Sequence, residues 1–378
     1  MAALLVTAAA AETIRVAVYS APLSRAGPGL LLRDILREEG QAMAAAAIIR
    51  AVSPDILLLA EFDHDGGLAA ARAFAGVAGG YPHVFALRPN SGMPTGLDMD
   101  GDGRSGDARD AQGYGRFAGD GGLALLSRWP IDTGAVRDFT PLLWRDLPGA
   151  VLPQLDGAPF PSAEAQALQR LSSTGHWVVP VDTPEGRLLI LAHAATPPVF
   201  DGPEDRNGLR ARDELRLWEA WLDGALGHRP DLPFVLLAKT NLDPVDGEGD
   251  TAAMAAFLAR PDLLDPRPSS PGALLTADPG HRGDPALDTA DWPDGAPGNL
   301  RVSYVLPSLH WEVLDGGTLW PAPRTPLHAE AEAAGPHRLV WADIRRQPGP
   351  HDGGDVGRNE PRHKPPERLA GEPVRDRP

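Results

Sequence analysis

The stretch FVLLAKTNLDP, from Phe234 to Pro244, changes character halfway along its length. It begins with four consecutive apolar residues, and it ends in the turn-forming residues Asn241 to Pro244. A short, continuous apolar run predicts a strand that is covered on both faces. Lys239 lies between the run and the turn, so we expect an ammonium group where this strand leaves the core.

Similar short apolar runs recur along the chain, and helical patterns separate them. The helical pattern is clearest at Glu38–Val52, which is rich in alanine, and at Asn207–Leu222, which carries large apolar residues on one stripe. Strands mixed with helices over most of the chain predict one large α/β domain. The predicted strands are Thr13–Ser20, Asp55–Glu61, Gly122–Ser127, Trp177–Val181, Arg187–His193, Phe234–Leu237, Val302–Pro307 and Arg338–Ile344.

The composition limits the classes of function. Apolar residues make up 43% of the 378 residues, which is enough for a sizeable core, while 42 glycines and 40 prolines indicate many turns and long loops. The formal net charge of -16 disfavours a general nucleic-acid binder, because polyanions would be repelled. Cysteine is absent, which excludes disulfides and thiolate metal sites. No stretch has the roughly 18 apolar residues that a membrane span needs, and no oligomeric state is indicated.

The two ends of the chain differ in composition from the rest. Residues 1–12 place a short apolar run before small alanines, which is similar to the end of a secretory signal peptide but lacks its cationic start. This favours a secreted or periplasmic protein; a disordered or first-strand N-terminus of a cytoplasmic protein is the alternative. Residues 346–378 have almost no large apolar side chain, which predicts a disordered tail after a domain at residues 13–345.

A carboxylate follows another buried run. Asp55–Asp63 reads DILLLAEFD, so Glu61 lies at a strand end, where α/β sheets place reactive groups. Alone, such a glutamate is more often a solvated boundary residue. Five further segments occur in a fixed order: GGLALLSRWPI (121–131), LILAHAATPPVFDGPEDRNG (189–208), LLAKTNLDP (236–244), NLRVSYVLPS (299–308) and HRLVW (337–341).

These six segments together resemble the endonuclease/exonuclease/phosphatase superfamily, over about Thr13 to Ile344. They are most similar to a bacterial subgroup with a long TPPVFDGPEDRNG loop (196–208) and a GLDxDGDG loop (96–103). The resemblance implies an α/β four-layer sandwich of two mixed β-sheets flanked by helices. It also implies hydrolysis of phosphate esters with a divalent metal, usually magnesium, or manganese.

Three residues match the catalytic positions of the resembling family. Glu61 matches the metal-binding glutamate, Asn241 matches the asparagine of a GDxN segment, and His337 matches the histidine of a terminal Asp-His pair. At the remaining positions the chain departs from the pattern. Ser20 stands for an asparagine, Ala194 for a histidine, Lys239 and Ser303 for aspartates, and Pro336 for the acid of the terminal pair.

These departures remove up to three of the carboxylates that would offset a divalent cation, and Lys239 adds a positive charge. Two like unit charges about 4 Å apart cost about 4 kcal/mol at an effective dielectric constant near 20, and a divalent ion doubles that cost. We therefore expect the affinity of Glu61 for magnesium to be weakened by several decades. The hypothesis is that Lys239 replaces the metal and pairs with Glu61, so that neither charge is buried alone. The alternative is a lysine that extends from the sheet rim into solvent.

Two other histidines are candidates for catalysis. His193 is one residue from Ala194, and one step along a strand turns a side chain to the opposite face, so packing or solvent exposure is favoured over catalysis. His176 begins a strand beside Trp177, and both a catalytic and a structural role remain open. The loop at residues 196–208 is interpreted as a rim or lid, ordered by ion pairs between its arginine and its acids.

The segment DMDGDG, Asp98 to Gly103, carries acids at alternate positions, followed by glycine. Asp98, Asp100 and Asp102 fit the first half of a calcium loop, but Arg109 occupies the twelfth position, where a glutamate would complete it. The segment is therefore either a structural calcium site or a solvated turn.

The sequence favours a family member with a degraded metal site, catalytically impaired or inactive. One alternative is an active, metal-dependent phosphoesterase or nuclease that uses Glu61, Asn241, His337 and either His193 or His176 on a phosphate-ester substrate. The other is a calcium-binding surface or interaction protein.

Overall fold

The computed structural model describes residues 12–294 and 297–347. Most of the expected signal-peptide segment, and the expected tail beyond residue 347, lie outside the described residues. The strands are β1 (Ile14–Tyr19), β2 (Ile56–Phe62), β3 (His83–Phe85), β4 (Gly122–Ser127), β5 (Arg137–Asp138), β6 (Gln154–Leu155), β7 (Ala158–Pro159), β8 (Gly175–Thr183), β9 (Gly186–Ala194), β10 (Phe234–Lys239), β11 (Ser303–Pro307), β12 (Trp311–Leu319) and β13 (Leu339–Arg346).

The helices lie on the outer faces of the sheets. The longest begins at Arg206, within the last residues of the 196–208 segment, and buries Leu215, Trp218 and Leu222 along the stripe expected from the sequence. None of the helices in the described ranges combines the length and the apolar character that a bilayer crossing requires. The helices are α1 (Leu30–Leu36), α2 (Gly40–Val52), α3 (Ala69–Val77), α4 (Ala163–Leu168), α5 (Arg206–Leu222), α6 (Thr251–Leu258), α7 (Pro271–Leu275) and α8 (His328–Ala334).

The strands form two mixed sheets and one short hairpin. The six-stranded sheet has the order β12-β13-β1-β2-β4-β3, in which β1 and β2 are parallel and the other neighbours are antiparallel. The five-stranded sheet has the order β11-β10-β9-β8-β5, in which β9 and β10 are parallel. The parallel pair at the centre of each sheet sends two carboxyl ends to the same edge.

Strand alternation divides the apolar side chains among three layers of core. Val16 and Val18 of β1 pack between the two sheets, whereas Ala17 and Tyr19 face α1, α2, α3 and α8. The outer face of the five-stranded sheet packs against α5 and α6. The continuous apolar runs are thus covered on both faces, and the four-layer sandwich that the family resemblance implied is confirmed.

All eight strands predicted from the sequence are present, with ends shifted by at most two residues. The strand β10 extends beyond its predicted end at Leu237 and includes Lys239 as its last residue. The strand β12 was not predicted, because WEVLDGGTL mixes exposed and buried positions without a clear period.

Candidate active site

Strand alternation brings one residue from each of four strands to the same end of the layer between the sheets. Ser20, Ala194, Lys239 and Ser303 continue the inward-facing positions of β1, β9, β10 and β11. Lys239 is aligned with Ala194 on one side and with Ser303 on the other. The positions at which the chain departs from the resembling family therefore converge on one place.

Glu61 reaches the same place because β2 contains a bulge. Leu57 and Leu59 face the helices, and Phe62, rather than Glu61, takes the next helix-facing position. The register with β4 shifts between Ala60 and Phe62, and Glu61 adopts a positive φ of 59°. A bulge inserts one extra residue and redirects its side chain, and a left-handed non-glycine residue is uncommon. The glutamate is thus turned away from the helix layer, toward the ends of β1 and β10.

The carboxylate of Glu61 is held by three side chains. Lys239 Nζ donates a hydrogen bond to Glu61 Oε1 and forms an ion pair with it, so the ion pair expected from the sequence is present. Ser20 Oγ donates to the same oxygen at 3.2 Å, and His337 Nε2 lies 3.8 Å from it. The Lys239 side chain is 9% exposed and that of Glu61 is 29% exposed, so water reaches the pair mainly from the glutamate side.

Burial and the Lys239 charge shift the pKa of Glu61 in opposite directions and the pKa of His337 in the same direction. Desolvation opposes the ionised form of Glu61, but Lys239 and the hydrogen bonds outweigh it and lower the pKa of this carboxyl below its ordinary value. Burial, with the neighbouring Lys239 ammonium, lowers the pKa of His337 to about 3. His337 is therefore neutral at pH 7, and its Nδ1 atom has no hydrogen-bond partner in the described part of the chain.

Asn241 is the third residue that matches a catalytic position of the family, and it lies two residues beyond the end of β10. Its φ of 55° lies in the left-handed region, which asparagine tolerates better than most residues. Its Nδ2 atom donates to the Ala195 carbonyl oxygen at 2.7 Å, which ties the end of β10 to the end of β9.

A cavity of about 470 Å³ lies over the ion pair. Its lining contains Glu61, Lys239, Asn241 and His337, and the residues around them are mainly apolar. The first residues of the 196–208 loop form one wall, as the rim interpretation predicts. The remaining lining residues are Pro22, Pro197, Pro198, Val199, Phe200, Asp243, Asp246, Gly247, Glu248, Gly249, Trp292, Pro297, Leu300, Val302 and Pro336.

A model of the Endonuclease/Exonuclease/phosphatase family matches residues 31–327. The chain belongs to this family. A search of curated proteins finds no match. Among solved structures, the chain is similar to an endonuclease/exonuclease/phosphatase from Beutenbergia cavernae DSM 12333, with 19% identity and a TM-score of 0.53 over 88% of this chain and 72% of that one.

Two further structures have lower scores. Sphingomyelinase C from Streptomyces griseocarneus is 17% identical, with a TM-score of 0.46 over 88% of this chain and 99% of that one. A mannosyl-6-phosphatase from Bacteroides thetaiotaomicron VPI-5482 is 13% identical, with a TM-score of 0.45 over 88% of this chain and 99% of that one. At these identities the similarity to solved structures concerns the fold alone.

Members of the endonuclease/exonuclease/phosphatase family generally depend on a divalent metal, and the residues here do not fit one. Magnesium prefers carboxylate and other hard oxygen ligands. Glu61 is the carboxylate at this point, and its Oε1 atom already accepts from Lys239 and Ser20. Within residues 12–294 and 297–347, a group of three acidic or histidine ligand atoms close enough to hold an ion is found at Asp98, Asp100 and Asp102, and not at Glu61.

The structure does not bring His176 and His193 to the cavity, so the expectation that either of them is catalytic is not supported by their position. Both are fully buried on the helix side of the five-stranded sheet, and their rings stack with centroids 4.6 Å apart. His193 Nδ1 accepts from Trp218 Nε1 at 2.8 Å. His176 Nε2 donates to the Glu214 carbonyl oxygen at 3.0 Å, so its Nδ1 accepts from the Ser172 hydroxyl. They are core histidines.

The 196–208 loop is ordered differently from the expectation. Among the described residues, Arg206 forms no ion pair with the acids of the loop; it donates instead to the Met99 carbonyl oxygen, in the acidic DMDGDG segment. Within the loop, the Asn207 backbone N–H donates to Asp201 and the Asn207 side chain donates to the Val199 carbonyl oxygen at 2.7 Å. The two hydrogen bonds that Asn207 donates, to the Asp201 carboxylate and to the Val199 carbonyl oxygen, are therefore found in place of the predicted ion pairs.

Several residues that line the cavity were not predicted from the sequence. Asp243, Asp246 and Glu248 lie in the DPVDGEGD segment, which begins two residues after Asn241, and this acidic, glycine-containing loop was a usable signal. Trp292 is distant along the chain and lies edge-on to His337, with ring centroids 5.1 Å apart. Nothing in the local sequence around Trp292 indicates that position.

The ion pair predicts non-additive effects on stability. Glu61→Gln and Lys239→Met should each lower the free energy of unfolding by about 1–3 kcal/mol, because each leaves a poorly hydrated charge without its partner. The double variant should be destabilised by less than the sum of the two. Urea unfolding of the four proteins measures the coupling. The matched control is the exposed pair of Arg345 and Glu312, whose coupling should stay below about 1 kcal/mol. Additive effects at Glu61 and Lys239 would contradict the pairing.

The histidine stack predicts a defined pH dependence. Burial lowers the pKa of His176 to about 3, while Arg210, Glu214 and the neutral His193 surround it. Between pH 6.5 and 3 the unfolded chain binds a proton at this histidine and the folded chain does not, so acid removes stability. The stability difference between wild type and His176→Gln should therefore shrink by up to about 1.4 kcal/mol per pH unit from pH 6 to pH 4. Urea unfolding at several pH values measures this difference. The control is His228→Gln, at an exposed histidine, whose free energy of unfolding should differ from that of wild type by the same amount at every pH. A difference for His176→Gln that does not change with pH would refute the assignment.

Proposed function

We propose that this protein is a family member that has lost metal-dependent hydrolysis of phosphate esters and that its cavity acts as a binding site. The observation that carries the proposal is the contact of the Lys239 ammonium with the Glu61 carboxylate, at the point where the family holds its ion. An ammonium tethered to β10 occupies the oxygen that a metal would need, and its charge repels a second cation.

The loss of the ion affects each chemical requirement of the reaction. In-line attack on phosphorus needs positive charge close to the transferring oxygens and a base that activates water. His337 is neutral and could accept a proton, but Lys239 is the one cation among the described residues that line the cavity, and Glu61 is paired with it. Ser303 and Pro336 supply no carboxylate that could draw a metal back. These features support a catalytically impaired protein.

A metal titration tests the proposal. Calorimetry with magnesium and manganese should show no stoichiometric binding at Glu61, and neither bis-p-nitrophenyl phosphate nor plasmid DNA should be hydrolysed above background. The variant carrying Lys239→Asp, Ser303→Asp, Pro336→Asp and Ser20→Asn restores the expected ligands, and it should gain magnesium binding and at least about tenfold higher turnover. Metal-dependent turnover by the unmodified protein that Glu61→Ala abolishes would establish the alternative, an active phosphoesterase or nuclease with an altered site.

We propose a second role for the DMDGDG segment as a structural calcium loop. Single oxygen atoms of Asp98, Asp100 and Asp102 lie within 4.8 Å of one another, which supports a shared cation. Asp98 accepts backbone hydrogen bonds from Gly101 at 2.6 Å and from Gly103 at 2.8 Å, which folds the segment around these oxygens. The segment is linked to the 196–208 loop through Arg206 and Met99, so an ion here would stiffen one wall of the cavity.

Calcium should therefore raise the melting temperature of the protein. Ligand at about 100 times its dissociation constant stabilises the folded state by about 2.7 kcal/mol, which corresponds to a shift of several degrees. Differential scanning calorimetry with calcium and with chelator measures the shift. Asp100→Ala should abolish it, whereas Asp231→Ala, at a side chain that is 95% exposed, should leave it unchanged. An equal shift in all three proteins would point to non-specific binding.

A further inference from the structure

The cavity over the Glu61–Lys239 pair has a charge and a lining that are wrong for a phosphate ester. We propose that it binds a small organic cation with an apolar, aromatic body. This inference rests on the proposed loss of the metal site, because a bound divalent ion would offset most of the negative charge of the lining and would offer a ligand position to a phosphate oxygen.

The charge of the lining favours a cation. Four acidic residues, Glu61, Asp243, Asp246 and Glu248, and one lysine, Lys239, are among the described residues that line the cavity. The ammonium is paired with Glu61, so the other three carboxylates set the net charge. None of these three forms an ion pair within 4 Å in the described part of the chain. An anionic phosphate would have to enter against them, whereas a cation would be attracted.

Backbone hydrogen bonds hold two of these three acidic side chains in place. Asp243 accepts backbone hydrogen bonds from Val245 at 2.7 Å, Asp246 at 2.8 Å and Arg301 at 2.7 Å. Asp246 in turn accepts from the backbone of Gly283 at 2.7 Å. Glu248 is exposed, and no hydrogen bond to its side chain is found among the described residues. The cavity thus has two anchored acids and one acid that is free to turn toward a ligand.

The walls suit an apolar body. Prolines and aliphatic side chains surround the ion pair: Pro197, Pro198, Val199, Leu300 and Val302. Two aromatic rings complete the lining, that of Trp292 and that of Phe200, whose residue is 81% exposed. An aromatic face attracts cations as well as apolar groups. The volume of about 470 Å³ is in the range of small-molecule sites.

Three probes with the same ring system separate the contributions. The intact protein is titrated, by calorimetry and by intrinsic fluorescence, with 2-naphthylmethylammonium, 2-naphthalenemethanol and 2-naphthylmethylphosphonate. The ammonium should bind most tightly, the alcohol more weakly, and the phosphonate at least about tenfold more weakly than the ammonium. A phosphonate that binds as tightly as the ammonium, or the absence of saturable ammonium binding, would overturn the proposal.

Two exposed residues allow tests that do not depend on the core. Glu248→Gln removes a charge with little change in shape and should weaken the ammonium severalfold while leaving the affinity for the alcohol unchanged. Phe200→Ala should weaken both probes. The controls are Asp231→Asn and Leu36→Ala, at an exposed acid and at a leucine that is 70% exposed, neither of which lines the cavity. Equal losses in the controls would show that the variants act through general charge or stability.

The same titrations distinguish this inference from the proposed function. If magnesium tightens the phosphonate and the metal-dependent hydrolysis assay is positive, the proposed loss of the metal site fails, and this inference fails with it. If hydrolysis is absent and the three probes bind equally or not at all, only the inference fails. Selective ammonium binding without hydrolysis supports both.

Discussion

The Lys239–Glu61 ion pair answers a problem that the fold itself creates. Two sheets that pack face to face bring the ends of β1, β2, β9, β10 and β11 together, and the residues there are shielded from water. The bulge in β2 sends a glutamate into this place with a left-handed backbone that is costly to maintain. A buried carboxylate needs a partner, and in this chain the partner is covalently attached. Burial, together with the ammonium beside it, lowers the pKa of His337 and keeps this histidine neutral.

An attached ammonium differs from a bound ion in more than its charge. It is present at every cation concentration, and it brings one charge and a few hydrogen-bond donors where a divalent ion would bring two charges and an octahedral set of ligands. The bulge at Glu61 and the left-handed Asn241 are present in this chain together with the ion pair. This backbone geometry positions the ion pair and part of the cavity lining.

Features of this site that depend on neighbouring residues could be predicted from the sequence, whereas contacts between segments far apart along the chain could not. Apolar runs located eight strands, because that signal is local and periodic. The pairing of Lys239 with Glu61 was expected from the family resemblance, whereas alternation alone would turn Glu61 toward the helices; the bulge in β2 that redirects it left no signal in the apolar run. The stacking of His176 on His193 depends on the register of β8 against β9, which places the two residues directly opposite each other and was not predicted. The same holds for Arg206, which passes over nearby acids to reach the Met99 carbonyl oxygen, and for Trp292, which enters the cavity from a distant loop. These contacts join segments whose separation in sequence carries no pattern.

The proposed replacement of the metal by Lys239 bears most directly on the net charge of the residues that line the cavity. A divalent ion among acids leaves a site that attracts phosphate, and the acids on the rim then serve to hold the ion. In the proposed state one ammonium is paired with one carboxylate, and the acidic residues Asp243, Asp246 and Glu248 remain in the lining. Their combined field would repel an anionic substrate and attract a cation. The proposed change therefore concerns the charge of the lining, while its apolar walls, which include Pro197, Val199 and Trp292, suit the body of an organic ligand.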